Sequence, residues 1–142
     1  MHKLLVPVDG SENALDAVRH AVAAAKLGVG ASIHLVNVHE APLLYGEIAV
    51  YVPREKMEAL QRQHSEAILA RAEEIVRQSG APYTTEVLIG EIAPTIAQHA
   101  KKLGCDSIVM GTRGMTRIGD LVMGSIATKV VHLTDLPVTL VR

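Results

Sequence analysis

The chain has 142 residues, of which 49% are hydrophobic and 20% charged, with a formal net charge of −1. That length suits one domain, 1–142, large enough to bury a core without covalent staples, and the apolar content excludes a disordered chain. A near-neutral charge gives no electrostatic footing for nucleic acid or an anionic membrane surface, and three tyrosines with no Phe or Trp offer few platforms for stacked bases.

The start of the chain does not read as a signal peptide. His2 and Lys3 precede only a short apolar run, Leu4 to Val8, which stops at Asp9. No apolar stretch reaches the roughly 18 residues of a membrane span. A single cysteine, Cys105, rules out an intrachain disulfide and suits a reducing compartment. A cytoplasmic protein without a membrane span is therefore expected.

Leu4 to Val8 reads as a buried strand ending at Asp9-Gly10. Ser11 is a good N-cap for the helix that follows, whose apolar face is Ala14, Leu15, Val18, Ala21, Val22 and Ala25. Gly28 and Gly30 end that helix. A second strand runs from Ile33 to Val38, apolar except where His34 and Asn37 interrupt it. An irregular stretch, His39 to Val52, contains Pro42 and Gly46 and is expected to be a loop. Pro53 stands where a helix can begin. Met57, Leu60, His64, Ile68, Ala72, Ile75 and Val76 then follow at helical spacing until Gly80.

Tyr83 to Leu88 alternates and is rich in β-formers, which predicts a third strand. Gly90 makes a turn. Ile92, Ile96, Ala97, Ala100 and Leu103 form the next helical stripe, closed by Gly104, and Ser107 to Met110 is a short buried strand. A glycine-punctuated loop leads to Gly124-Ser125 and a last helix with Ile126, Val130 and Leu133 on one face. Leu136-Pro137 introduces the final strand, Val138 to Val141. Strict alternation of strand and helix implies crossover connections and a parallel sheet with helices on both faces. Five strands and four helices make an open α/β sheet, in which ligands bind beyond the carboxyl ends of the strands. Asp9, Val38 and Gly111 all stand at such ends.

The loop after the fourth strand holds the most informative chemistry. Gly111, Gly114 and Gly119 lie between strand and helix, and Gly124-Ser125 opens the helix. Glycines let backbone N–H groups approach a phosphate, and a helix start adds unpaired donors. The Ser125 hydroxyl can donate another bond. On spacing alone the segment fits either a phosphate cradle or a plain turn. It is not a Walker A loop, because Ser125 stands where that motif needs lysine. Gly28-Val29-Gly30 fails the dinucleotide fingerprint, because Ile33 replaces its third glycine.

The spacing Gly111-x2-Gly114-x9-Gly124-Ser125 resembles the ATP-binding signature of universal stress proteins. The resemblance runs along nearly the whole chain, from Val6-Pro7-Val8-Asp9-Gly10-Ser11 through Gly104-Cys105-Asp106 and Val109-Met110-Gly111 to Leu136-Pro137-Val138. It implies a Rossmann-like fold of the adenine nucleotide alpha hydrolase type, with strand order 3-2-1-4-5. It also implies ATP or AMP as ligand, with Mg²⁺, and a regulatory role exercised through a protein partner. By the same resemblance, Asp9 lies beside the ribose or adenine with Pro7 packed near it, and the backbone of Val38 reads the adenine edge. Met110 and Gly111 floor the ribose, and Gly114, Gly124, Ser125 and Ile126 cradle the phosphates. Arg113 and Arg117 either assist the phosphates or face solvent. A homodimer through the C-terminal strand is implied too, and that strand's open edge independently favours pairing with a second copy.

Several residues read as structural. Asp9 alone suits a strand-end turn paired with Ser11 as well as a ligand. The seven histidines show no metal-binding spacing such as HExxH, so no metal site is expected. His20, His64, His99 and His132 read as surface or boundary residues of helices, and Cys105 as a packed thiol. No general base is identifiable near the loop, Asp120 being the nearest carboxylate. As an enzyme the chain would be at most a slow ATPase or a phosphotransferase.

Overall fold

The structure is a computed structural model and describes residues 2–28, 30–41, 53–113 and 123–142. The elements are β1 (Lys3–Pro7), α1 (Glu12–Leu27), β2 (Ser32–His39), α2 (Arg54–Ser79), β3 (Tyr83–Ile89), α3 (Ile92–Lys102), β4 (Ser107–Gly111), α4 (Ser125–Leu133) and β5 (Val138–Val141). The five strands form one parallel sheet in the order β3-β2-β1-β4-β5, as the resemblance implied. The chain therefore builds outward from β1 in one direction and then returns to build outward in the other. The reversal opens between β1 and β4.

Each face of the sheet has its own core. On one face α1 and α2 cover Leu4, Val6, Ile33 and Leu35. On the other, α3 and α4 cover Leu5, Val36, Val38, Ile108 and Met110. Strands covered on both sides need apolar residues at successive positions, and this is why the buried centres of β1 and β4 are apolar, while β2 carries buried His34 and Asn37 among its apolar residues. The edge strand β3 is only partly covered: none of its residues is fully buried, and its exposure does not follow the alternation its sequence suggested.

Local chemistry sets the helix boundaries. Ser11 caps α1 as expected, its Oγ accepting from the Ala14 N–H at 3.1 Å. Gly80 ends α2 in the left-handed region at φ 76°, which spares a side chain the clash it would meet there. Pro53 is the N-cap of α2 and not its first helical residue; its φ of −60° and extended ψ lead the chain into Arg54.

The buried face of α2 differs from the one the sequence suggests. Its buried residues are Ser65, Leu69, Ala72 and Val76, while Leu60 is 51% exposed and His64 is exposed. Ile68 and Ile75 pack only at the border of the core. The expected Ala72 and Val76 are buried, but Ser65 and Leu69 join them in place of Leu60 and His64. On α4, Ala127 and Val130 are buried and Ile126 lies at the border, but Leu133 is 54% exposed.

Cys105 is buried, as its packed reading requires. Burial pushes its thiol above the usual range, with Asp106 adding to the effect and Lys3 opposing it. None of the described helices is long and apolar enough to cross a membrane.

Leu5 is 0% exposed and touches both flanking strands' core residues, whereas Leu27 is 92% exposed. Leu5→Ala should cost about 2–5 kcal/mol through lost burial and the cavity left behind. Leu27→Ala should change stability by less than about 0.5 kcal/mol. Urea unfolding of the two variants checks the contrast.

Candidate functional site

The reversal between β1 and β4 gathers the C-terminal ends of the central strands, with the loop after β1 and the start of α4 beside them. Pro7 closes β1 and Asp9 follows it, exposed. Asp9 Oδ1 accepts both the Ser11 N–H at 2.9 Å and the Ser11 hydroxyl at 2.6 Å. The turn role foreseen for Asp9 is therefore real. Both bonds fall on one oxygen, and Oδ2 has no partner among the described residues. Val38 and Met110 are buried near the ends of β2 and β4.

The far side of the loop is tied back to β4. The Gly124 N–H donates to the Thr112 carbonyl, which sets the start of α4 against the end of β4. Gly124 is the N-cap of that helix, and among the described residues no side chain caps its first turn. The first N–H groups of a helix have no partner within it, so this end keeps donors and the positive pole of the helix dipole for an anion. Ser125 is exposed at the same end, and Ile126 is half-buried behind it. Thus Pro7, Asp9, Val38, Met110, Gly111, Gly124, Ser125 and Ile126 all belong to the carboxyl side of the sheet. Gly114 lies outside the described residues, as do Met115, Arg117, Gly119, Asp120 and most of the stretch after His39.

Gly111 has a cause that the loop motif does not supply. A Cβ there would lie 2.8 Å from Asn13 Cγ and 3.1 Å from the Asn13 backbone oxygen, too close for any side chain. Asn13 sits buried on α1 and clamps three segments. Its Nδ2 donates to the Val141 carbonyl at 3.0 Å, and its Oδ1 accepts the Arg113 N–H at 2.8 Å. The Val141 carbonyl also accepts from the Thr112 N–H at 2.9 Å. Arg113 thus enters the site first through its backbone. The apolar stripe of α1 gave no reason to single out Asn13; its one sequence signal is a polar residue inside the first turn of an otherwise buried helix.

Two further polar residues went unremarked as site residues. Asn37 interrupts β2, and its Nδ2 donates to the Val8 carbonyl at 2.8 Å, just where β1 ends. Asn37 Oδ1 and Thr112 Oγ1 are buried with no hydrogen-bond partner among the described residues. A buried unsatisfied polar atom costs about 1–3 kcal/mol, and both of these lie toward the carboxyl ends of their strands. Polar capacity left open there, together with an uncapped helix start, suits a polar, anionic ligand.

A separate polar cluster lies nearer the start of β2. His34 Nε2 and His99 Nε2 both reach Glu86 Oε2, at 3.1 and 2.7 Å. Burial is the largest influence on His34 and holds it below its usual value, although Glu86 pulls the other way. Burial alone would raise Glu86, but the hydrogen bonds from His99 and His34 outweigh it and the net shift is downward. His39 is also lowered, by burial and then by the nearby His64, and its Nδ1 is 3.0 Å from Ser65 Oγ.

With this geometry established, likeness to known proteins becomes informative. The sequence profile of the universal stress protein family matches residues 1–142. A universal stress protein of Thermus aquaticus is 37% identical over 98% of this chain and 97% of its own. Universal stress protein YxiE of Bacillus subtilis is 32% identical over 99% of both chains. The chain belongs to the universal stress protein family. Among solved structures, universal stress protein UspA from Lactobacillus plantarum has a TM-score of 0.81 at 26% identity, covering 99% of this chain and 97% of its own. The Archaeoglobus fulgidus universal stress protein in complex with dAMP has a TM-score of 0.69 at 24% identity, covering 100% and 98%.

Removing the Asn13 clamp tests the site's frame. Asn13→Ala leaves the Arg113 N–H without its buried acceptor and removes one of two donors from the Val141 carbonyl. The expected loss is about 1–3 kcal/mol, read as a lower urea midpoint. Hydrogen exchange should quicken at Arg113.

Proposed function

We propose that this chain is a nucleotide-dependent regulatory module of the stress response, working in the cytoplasm, which takes ATP in the crevice between β1 and β4. The observation that carries this reading is the N-terminus of α4, which no side chain caps among the described residues and which the Gly124 N–H bond to Thr112 ties to the end of β4. That arrangement offers backbone donors to an anion without needing a lysine. Gly114, Gly124, Ser125 and Ile126 are assigned to the phosphates, and Met110 and Gly111 to the ribose. The Val38 backbone takes the adenine edge, with Asp9 and Pro7 beside the nucleoside. Mg²⁺ accompanies the triphosphate and neutralises part of its charge. AMP fits the same nucleoside positions with fewer phosphate contacts. The dAMP complex of the Archaeoglobus fulgidus protein supports an adenine nucleotide as the ligand class.

A homodimer through β5 is part of the same proposal. β5 is an edge strand, and Val131 and Leu133 on the adjoining helix are 40% and 54% exposed. An open edge beside exposed apolar side chains is a surface that natural proteins cover. A two-fold partner would cover it with the same surface of a second copy.

Calorimetry with Mg²⁺–ATP tests the nucleotide site. The unsubstituted protein should bind one ATP per chain and prefer it to GTP. Gly124→Val, which puts a branched side chain at the start of α4, should weaken ATP at least tenfold; equal affinity in the two proteins would refute the assignment.

Light scattering tests the assembly. The expected mass is twice the 15.2 kDa of one chain, at micromolar concentration. Leu133→Asp alters an exposed residue and should shift the population toward monomer. A mass near 15.2 kDa for the unsubstituted protein would remove the dimer.

A further inference from the structure

His34, Glu86 and His99 come from three elements and meet because of the sheet's register. β2 pairs with β3 so that His34 stands opposite Thr84 and Val36 opposite Glu86. Two-residue alternation therefore puts His34 and Glu86 on one face of the sheet. It is the face on which Val36 and Val38 pack against Ala93, Ile96 and Ala100 of α3. His99, three residues after Ile96, brings a second imidazole onto the same carboxylate. The two rings stack with centroids 5.6 Å apart and planes 29° apart.

The arrangement has the features of a coordination site. The three ligand atoms, one from each side chain, lie within 4.8 Å of one another. The imidazoles are nearly buried, at 10% and 11% exposure, while the carboxylate is 42% exposed. Solvent therefore reaches the group from the Glu86 side, along the edge strand, where an ion can enter. Zinc binds histidine and carboxylate ligands at about 2.0–2.2 Å, which in a tetrahedron sets donor atoms about 3.3 Å apart. The contacts of 2.7 and 3.1 Å to Glu86 lie close to that spacing, and no two of the three donor atoms are more than 4.8 Å apart, so side-chain adjustments of both rings and of Glu86 bring all three onto one ion. The Thr84 hydroxyl contacts His34 Nδ1. An outer partner on the second ring nitrogen is what fixes the tautomer of a ligating histidine and turns its lone pair toward the ion.

We propose that His34, His99 and Glu86 bind one divalent transition-metal ion of the zinc class, with Thr84 orienting His34 and water completing the coordination. Two imidazoles and one carboxylate suit zinc and its neighbours in the transition series. Mg²⁺ and Ca²⁺ prefer oxygen ligands alone. The site lies toward the start of β2, away from the carboxyl ends assigned to the nucleotide. The ion would join the edge strand β3 to β2 and α3, so it would act on the stability of that edge.

The test uses the full chain, stripped with a chelator, and zinc chloride as the probe. Competition against a chromophoric chelator should give one zinc per chain, with no comparable binding of magnesium. His34→Gln and His99→Gln should each weaken zinc at least tenfold, and Thr84→Val should weaken it by about 10–100-fold. Nucleotide affinity should be unchanged in all three. Zinc should raise the Tm of the unsubstituted protein and not that of the double variant carrying both His34→Gln and His99→Gln. Imidazole ¹⁵N spectra of the unsubstituted protein need no variant, and zinc should shift Nε2 of His34 and His99. Absence of zinc binding at micromolar concentration, equal affinity in the double variant, or shifts confined to other histidines would each overturn the proposal.

Discussion

Parallel pairing of β1 on both of its edges is the constraint from which the rest of the molecule follows. β1 meets β2 through five register pairs and β4 through the pairs Leu4–Ser107 and Leu5–Ile108. Parallel neighbours cannot be joined by a hairpin, so every connection must cross over through a helix. Placing the second strand on one side of β1 and the fourth on the other sends the crossovers to opposite faces. The two apolar cores, one under α1 and α2 and one under α3 and α4, are the outcome. The crevice at the carboxyl ends is the place where these two sets of connections part.

Buried polar groups hold that crevice in shape. Asn13 joins α1 to the ends of β4 and β5, and Asn37 joins β2 to the end of β1. Each side chain satisfies a backbone group at the point where a ladder runs out, where an unpartnered group would otherwise be costly. The Gly124–Thr112 bond does the same for the two ends of the loop between β4 and α4. The frame of the site is thus made by amides that serve the backbone. What remains open among the described residues is Asn37 Oδ1, Thr112 Oγ1 and the first turn of α4.

The polar cluster of His34, Glu86 and His99 shows a different use of the same sheet. β3 lies at an edge, so a carboxylate can sit on its core-facing side and still touch water. Beneath it, His34 stands between the buried Ile33 and Leu35, a polar side chain that burial would penalise without the partners Glu86 and Thr84. An interior histidine is retained here because a neighbouring strand and a helix supply its hydrogen bonds.

Strand-helix alternation, the Ser11 cap, the Gly80 stop and the α1 and α3 stripes were legible in the sequence, because each depends on local periodicity or on one residue's backbone preference. The glycine spacing of the loop after β4 was legible as well, and with it the family. The α2 face was legible only in part: Ala72 and Val76 are buried as their spacing suggested, but Ser65 is buried and Leu60 exposed, which hydropathy alone does not indicate. Asn13, whose partners lie 100 and 128 residues away, was not legible. The meeting of His34 with Glu86 and His99 spans 52 and 65 residues and depends on strand register and helix rotation together. By itself the sequence determined which segments are strands and helices and where glycine and proline break them, since those choices are made over a few neighbouring residues. Tertiary structure decided which polar side chains meet, because only the packed sheet brings distant positions within hydrogen-bond reach.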